Sequence, residues 1–415
     1  MRDLKGIVKT IGPGILFAGA AIGGSHLIQS TRAGADYGYS LIIVILLVNL
    51  FKYPFFEFSY RYTSAKNKTL LQGYQELGSW AIWSFLIISI ITGIINLAAL
   101  ALGASGLLGY IIGSAVQPLY LSIGLVTLCI LILLIGKYPL LDGAMKFMVF
   151  MLGIFTTIAF FMSLSVNNSP IEGFNSPEIF ERSSILFIIA LMGWMPTPIE
   201  ASVWTSLWSV GRQKQKKYIP TLKESLIDFH IGYIITTVLA VFFLVLGARA
   251  MFGTGIGFSS NGTEFSKQLI DIYATLLGNW SKVILAPVAF ITIFSSLLTV
   301  VDAYPRSITS AIFLSLREKT HETVRLHEIL TLSMSAVALI IVSFLIHNLK
   351  MMIDLATVIS FLAAPVFAVI NYKTVTAKDF PDSYRPKLWL KLLAIAGIIF
   401  LSGFSFIYLW SLFVL

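Results

Sequence analysis

The chain of 415 residues holds a single cysteine, and only 12% of its residues are charged. One cysteine, Cys129, excludes an intrachain disulfide, and its place in an apolar stretch reads as packing. So few charges beside 57% hydrophobic residues and a mean hydropathy of +0.86 exclude a water-soluble globular domain. A soluble fold of this length has no way to hide that much apolar surface. The chain also lacks a phosphate-binding loop, a zinc-helix motif and a nucleophile elbow, so no enzymatic chemistry and no cofactor is expected.

Lipid is therefore the expected solvent. A bilayer span takes about 20 mostly apolar residues, and eleven such windows lie near 11–35, 40–60, 82–112, 118–136, 143–165, 183–210, 226–249, 283–314, 327–347, 351–372 and 389–414. The opening "MRDLKGIVKTIGPGILFAGAAIG" has the basic start and apolar run of a cleavable signal. Because it leads into a polytopic bundle, it is read as the first span. An all-α integral membrane protein follows.

The net charge of +9 is a topological signal. Most Lys and Arg fall in alternate connections: 1–10, 61–80, the turn at Lys137, 211–225, 315–326 and 373–391. Basic connections stay in the cytoplasm, so the N-terminus is expected inside and, after an odd number of spans, the C-terminus outside, with the cell membrane as the expected location. Juxtamembrane basic residues explain the charge without a nucleic-acid partner. The expected partners are the lipid bilayer and a transported ion or small solute; oligomeric state is not legible.

Two windows contain helix breakers at membrane depth. The first is interrupted by "GGSH" (23–26) and the sixth by "GWMPTPIE" (193–200), in which Pro196 and Pro198 remove two backbone donors. The breaks stand five spans apart. Non-helical backbone is tolerated in a membrane only where protein or a water-filled cavity satisfies it, and paired interruptions in a five-plus-five arrangement point to an inverted-repeat transporter with a midplane site. Gly and Pro also serve as plain packing or kink residues in membrane helices, and that reading stands beside the first.

The stretch "GPGILFAGAAIGGSHLIQSTRAGADYGYSLIIVILLVNL" (12–50) resembles the first two spans of the Nramp divalent-metal transporters, and "MPTPIEAS" (195–202) resembles their sixth. "NLAALALGASGLLG" (96–109) and "SLLTVVDAYPRSITSAI" (296–312) extend the similarity over most of the chain. The resemblance implies a LeuT-like fold: two inverted five-helix repeats, here 11–165 and 183–372, plus an eleventh span at 389–414. It also implies alternating access, with the first and sixth spans rocking against the rest.

The family's ligand motifs are altered here. Where its first span carries Asp-Pro-Gly-Asn, this chain has Gly23, Gly24, Ser25 and His26. Where its sixth carries Met-Pro-His-Asn, it has Met195, Pro196, Thr197 and Pro198. Acidic residues tied to the family's proton route fall on Asn96 and Ala99, and a site glutamine falls on Asp302. The expected substrate site is thus Gly23, Ser25, His26, Met192, Met195, Thr197 and Asp302, with Met192 entering through its backbone carbonyl. His26, Met195 and Asp302 form a candidate metal set suited to a transition metal. Proton coupling of the family's kind is not expected.

The bland alternatives are open at this point. His26 reads also as a hydrogen-bonded interior histidine, Met195 as packing, and Asp302 as neutralised by Arg306 at i+4. Intramembrane ionisable groups are functional suspects, so Arg32, Glu200 and Arg306 are gate or ion-pair candidates, Arg32 and Glu200 as an interhelix pair. Three function classes compete: a divalent-cation transporter with a remodelled site; a transporter of a non-metal solute, organic or anionic; and a receptor, channel or enzyme.

Overall fold

Inside lipid a chain satisfies its own backbone, and each apolar window is helical in the computed structural model, which describes residues 10, 12–113, 116–135, 138–165, 170–316 and 323–414. The stretch before Thr10, the turn at Lys137 and residues 317–322 lie outside the described residues, although the charge argument used them. The first span is α1 (Pro13–Ala21), a π-helical segment (Ile22–Ser30) and α2 (Thr31–Tyr37). Then come α3 (Ile42–Lys66), α4 (Leu70–Leu77), α5 (Ser79–Ile112), α6 (Pro118–Ile135) and α7 (Tyr138–Ser163). The sixth span is α8 (Arg182–Trp194) and α9 (Ala201–Lys216), followed by α10 (Leu222–Met251), α11 (Gly262–Leu277), α12 (Ser281–Leu316), α13 (Thr323–Leu345), α14 (Leu349–Thr376) and α15 (Leu388–Val414).

Eight of these helices, among the described residues, are long and apolar enough to cross a bilayer unaided. The other three expected spans are the two broken ones and α7, whose described apolar part is Val149–Ser163. The chain is an integral membrane protein. Burial sorts the spans: α5 and α12 hide 67% of their apolar window inside the protein, α6 and α15 only 22%. The former pair forms the centre, and the latter two face lipid with residues such as Ile135 and Ile399.

Two helices were not expected from hydropathy, because neither can span. In α4, Thr69 and Gln72 form a capping box, with Thr69 N donating to Gln72 Oε1 at 2.9 Å. In α11, Asn261 Oδ1 caps the N-terminus by accepting from Thr263 N (3.0 Å) and Glu264 N (3.1 Å). Phe265, Leu269, Ile272, Tyr273 and Leu276 bury one face of α11, which packs on α5 and α12. Residues 262–277 are therefore helix, where the sequence reading left only a connection.

The first span lies against α10 with almost no space between backbones. A Cβ on Gly34 would stand 1.8 Å from the Leu244 carbonyl oxygen, and one on Gly247 would stand 2.1 Å from that of Thr31. At the other end a Cβ on Gly14 would stand 2.0 Å from the Asp228 carbonyl oxygen, and one on Gly232 would stand 2.2 Å from that of Gly14. Without a hydrophobic drive between helices in lipid, such close approach is what association rests on.

Gly34→Val is expected to prevent this contact and abolish a monodisperse peak in size-exclusion chromatography. Gly124→Ala, where no atom lies within 4 Å of the added carbon, is expected to elute as the parent does. A monodisperse Gly34→Val protein of unchanged melting temperature would show that the contact is dispensable.

Candidate functional site

The first break is centred on Gly23, whose ψ of −113° departs from helix. Its missing side chain makes room for Ser296, since a Cβ there would stand 2.0 Å from Ser296 Oγ. The Ser25 hydroxyl donates back to the Ala21 carbonyl and lies 3.2 Å from the Pro196 carbonyl. Ser25 thus touches the break of the sixth span directly.

In the sixth span α8 ends at Trp194, Met195 is extended, and α9 begins after Glu200. In a continuous helix residue 196 would donate to the Met192 carbonyl and residue 198 to that of Trp194. Proline has no N–H to give. The Met192 carbonyl receives Met195 N at 3.4 Å and a stronger donor from the second span: Lys52, wholly buried, donates from Nζ to the Met192 (2.7 Å) and Gly193 (2.9 Å) carbonyls and lies 3.5 Å from that of Thr197. A cation at a helix C-terminus also meets the negative end of the helix dipole.

Between the two breaks is a small cavity of about 40 Å³, room for a few waters. Ser25, Thr197, Ser296 and Thr299 bring hydroxyls to it, Asn96 an amide, and Trp194 and Trp204 their rings. Asn96 is the hub of its wall. Its Oδ1 accepts from Trp194 Nε1 (3.1 Å) and Ser360 Oγ (3.3 Å), and its Nδ2 donates to the Tyr304 hydroxyl at 2.6 Å. Tyr304 in turn donates to Glu200 Oε1. This chain of bonds ties the third, sixth, eighth and tenth spans together behind the cavity.

Of the expected site residues, Ser25 and Thr197 line the cavity, and Gly23 does not, although its missing side chain makes room for Ser296, which does. The proposed metal set of His26, Met195 and Asp302 does not assemble. His26 points away: Nε2–H donates to the Thr236 carbonyl of α10 (2.8 Å), and Nδ1 lies 2.6 Å from the Ser25 hydroxyl and 2.9 Å from the Ala21 carbonyl. Both ring nitrogens are occupied. Met195 and Met192 are packed in the apolar core, and the Met192 carbonyl is held by Lys52. Asp302 is bound by Arg306 of its own helix (Nε–Oδ2 3.0 Å), with His327 Nε2 at 3.8 Å, away from the cavity. Among the described residues no group of three His, Cys, Asp or Glu is placed to hold a metal ion.

The expected Arg32–Glu200 pair is not formed either. Arg32 makes a two-pronged bond to Asp354 of α14 (2.7 and 3.1 Å) and a third bond to Gln29 Oε1 (2.8 Å). Glu200 is one helix break away, on Tyr304. At the far end of the first span, Asp228 of α10 accepts from Gly12 N (3.0 Å) and Gly14 N (2.7 Å), capping α1 from another helix. Lys52, Asp228 and Asp354 went unnoticed in the sequence reading. Each is a charge within or at the edge of an apolar window, the signal that singles out intramembrane ionisable residues.

A family model described as natural resistance-associated macrophage protein-like (Nramp) matches residues 14–411. An uncharacterized protein of Pasteurella multocida is 36% identical over 404 residues, 96% of this chain and 91% of its own length. Among solved structures, a mutant of the Eremococcus coleocola manganese transporter is similar with a TM-score of 0.73 at 14% identity, covering 97% of this chain and 86% of that one. MhsT in complex with L-phenylalanine gives 0.62 at 15%, covering 97% and 98%. These likenesses show the fold and, at such identity, the fold alone. It is LeuT-like: two inverted five-helix repeats and an eleventh helix, with the first and sixth helices interrupted.

With both nitrogens of His26 committed to internal partners, His26→Ala is expected to lose about 1–3 kcal/mol of stability, read as a lower melting temperature in detergent. An unchanged melting temperature together with abolished uptake would restore the ligand reading.

Proposed function

Because the chain belongs to the Nramp family of membrane transporters, we propose that it is a secondary transporter working by alternating access on a remodelled site. The repeats 11–165 and 183–372 provide the moving and static parts, with 389–414 added outside them. The observation that carries this reading is the meeting of the two breaks at one cavity, where Ser25 of the first span reaches the Pro196 carbonyl of the sixth. Cargo is held there, against Gly24, Ser25 and Thr197. Rocking of the two broken spans opens the cavity to either side in turn. One end is latched by Arg32, Gln29 and Asp354, the other by Asp228 on the amides of Gly12 and Gly14. By the charge distribution of the connections, the Asp228 latch is cytoplasmic and the Arg32 latch faces outside.

Manganese is the cargo that the Eremococcus coleocola protein is described as transporting, and a divalent metal cation is the first cargo reading. A second reading, a small uncharged or anionic organic solute, is favoured by a specific observation: hydroxyls, an amide and two indoles line the cavity, and among the described residues no carboxylate does. A dehydrated divalent cation calls for anionic or strongly dipolar oxygen ligands. Asn96 and Ala99, in place of the family's acidic pair, support transport without its proton route.

The test is uptake of Mn²⁺, Mg²⁺ and Ca²⁺ into proteoliposomes with internal pH recorded, against protein-free vesicles. Saturable metal uptake with a silent pH signal supports a rebuilt cation site, whereas metal uptake that acidifies the lumen defeats the loss of coupling. Absence of uptake for all three by folded protein turns the reading to the organic solute. For the latch, Asp354→Asn is expected to keep the fold and change the uptake rate several-fold. Identical rates in parent and variant would remove Arg32–Asp354 from the gating path.

A further inference from the structure

The Lys52 ammonium is bound as an ion would be. It is completely buried, and lysine is almost never so unless paired. Its three N–H groups face three carbonyl oxygens of one broken segment, Met192, Gly193 and Thr197, at 2.7, 2.9 and 3.5 Å. Two of these oxygens end α8, and the third lies within the break. Freed carbonyls and half-helix C-terminal ends at a midplane break are the groups that coordinate small cations in transporters of this architecture. Here the cradle is built and already filled.

We propose that Lys52 is a built-in cation: from the second span it occupies the carbonyl cradle of the broken sixth span, so that this place needs and admits no inorganic cation. The local sequence accounts for the need. Pro196 cannot donate to the Met192 carbonyl, whose remaining backbone donor, Met195 N, stands at 3.4 Å, and a carbonyl so weakly met in a dry interior is costly. A side-chain ammonium meets that need permanently, whereas a bound ion meets it only at sufficient concentration. The chemical class that the emptied cradle would take is a hard monovalent cation, since its donors are neutral oxygens and the ammonium that the cation would replace carries a single charge. The inference concerns the break itself, whatever the cargo.

Thermal unfolding of the purified full chain in detergent tests this, with sodium chloride exchanged for choline chloride at constant ionic strength. Sodium is the probe because a divalent cargo would act at the cavity and confuse the reading. The parent is expected to melt at the same temperature in both salts, and Lys52→Arg, which keeps a cationic donor, is expected to be equally indifferent. Lys52→Ala is expected to melt lower in choline and to regain stability with sodium in a saturable way. A parent protein stabilised by sodium as strongly as Lys52→Ala overturns the proposal, and so does a folded Lys52→Ala without a sodium response. If Lys52→Ala cannot be purified in choline, it is expressed and purified in sodium throughout. Failure there also sinks the idea, because sodium was to replace the ammonium. No transport is read, so the outcome is independent of the cargo assignment.

Discussion

Two helices interrupted where there is no water leave backbone groups that protein atoms must satisfy. Much of the arrangement follows from where those atoms come from. The carbonyls at the end of α8 are met by Lys52 from the second span, and the amides that open α1 by Asp228 from the seventh. The Ala21 carbonyl, just before the first break, is met locally by the Ser25 hydroxyl. Each partner ties a broken span to an unbroken one or to its own flank. The breaks are thereby held in fixed conformations.

That fixing is compatible with movement because the ties to the first span are few and the packing beneath it is smooth. Gly14, Gly34, Gly232 and Gly247 bring the first span and α10 to backbone contact. A surface without side chains resists separation but offers little to interlock against sliding. Polar ties sit at both ends, Asp228 at one and Arg32 with Asp354 at the other, and in the middle His26 holds the Thr236 carbonyl of α10. Such placement suits a helix that tilts about its middle.

What the sequence disclosed was whatever is local. Spans appear as apolar runs, and the breaks appear as Gly23–Gly24 and as Pro196 with Pro198. Both kinds of signal depend on a few adjacent residues, and both lie where they were expected. α4 and α11 were missed because a hydropathy window asks only what can cross a bilayer, although Thr69 with Gln72 and Asn261 carry ordinary capping signals. Partnerships were read least well. Arg32 was matched with Glu200 because each follows a break, yet its carboxylate comes from Asp354, far along the chain. His26 sits in the break itself, but a ring that leaves the helix there can turn to either side, and Thr236 on α10 decides which.

The intramembrane charges explain why they misled. A charged side chain in an apolar window is costly, so it persists only with a role, and the ready inference is that the role concerns cargo. In this chain the charges complete helix ends or pair with groups on the protein itself. Lys52 and Asp228 complete helix ends, Arg32 joins Asp354, Arg306 joins Asp302, Arg61 joins Glu57, and Glu200 accepts from Tyr304. None of these side chains lies on the wall of the cavity between the breaks. Broken helices require counter-charges of their own, at sites the fold dictates, and those sites stay charged even where the cavity wall is neutral. Charge in the spans therefore reports first on the architecture, and the wall of the cavity between the breaks is left to the neutral groups of Ser25, Thr197, Asn96, Ser296 and the two tryptophans.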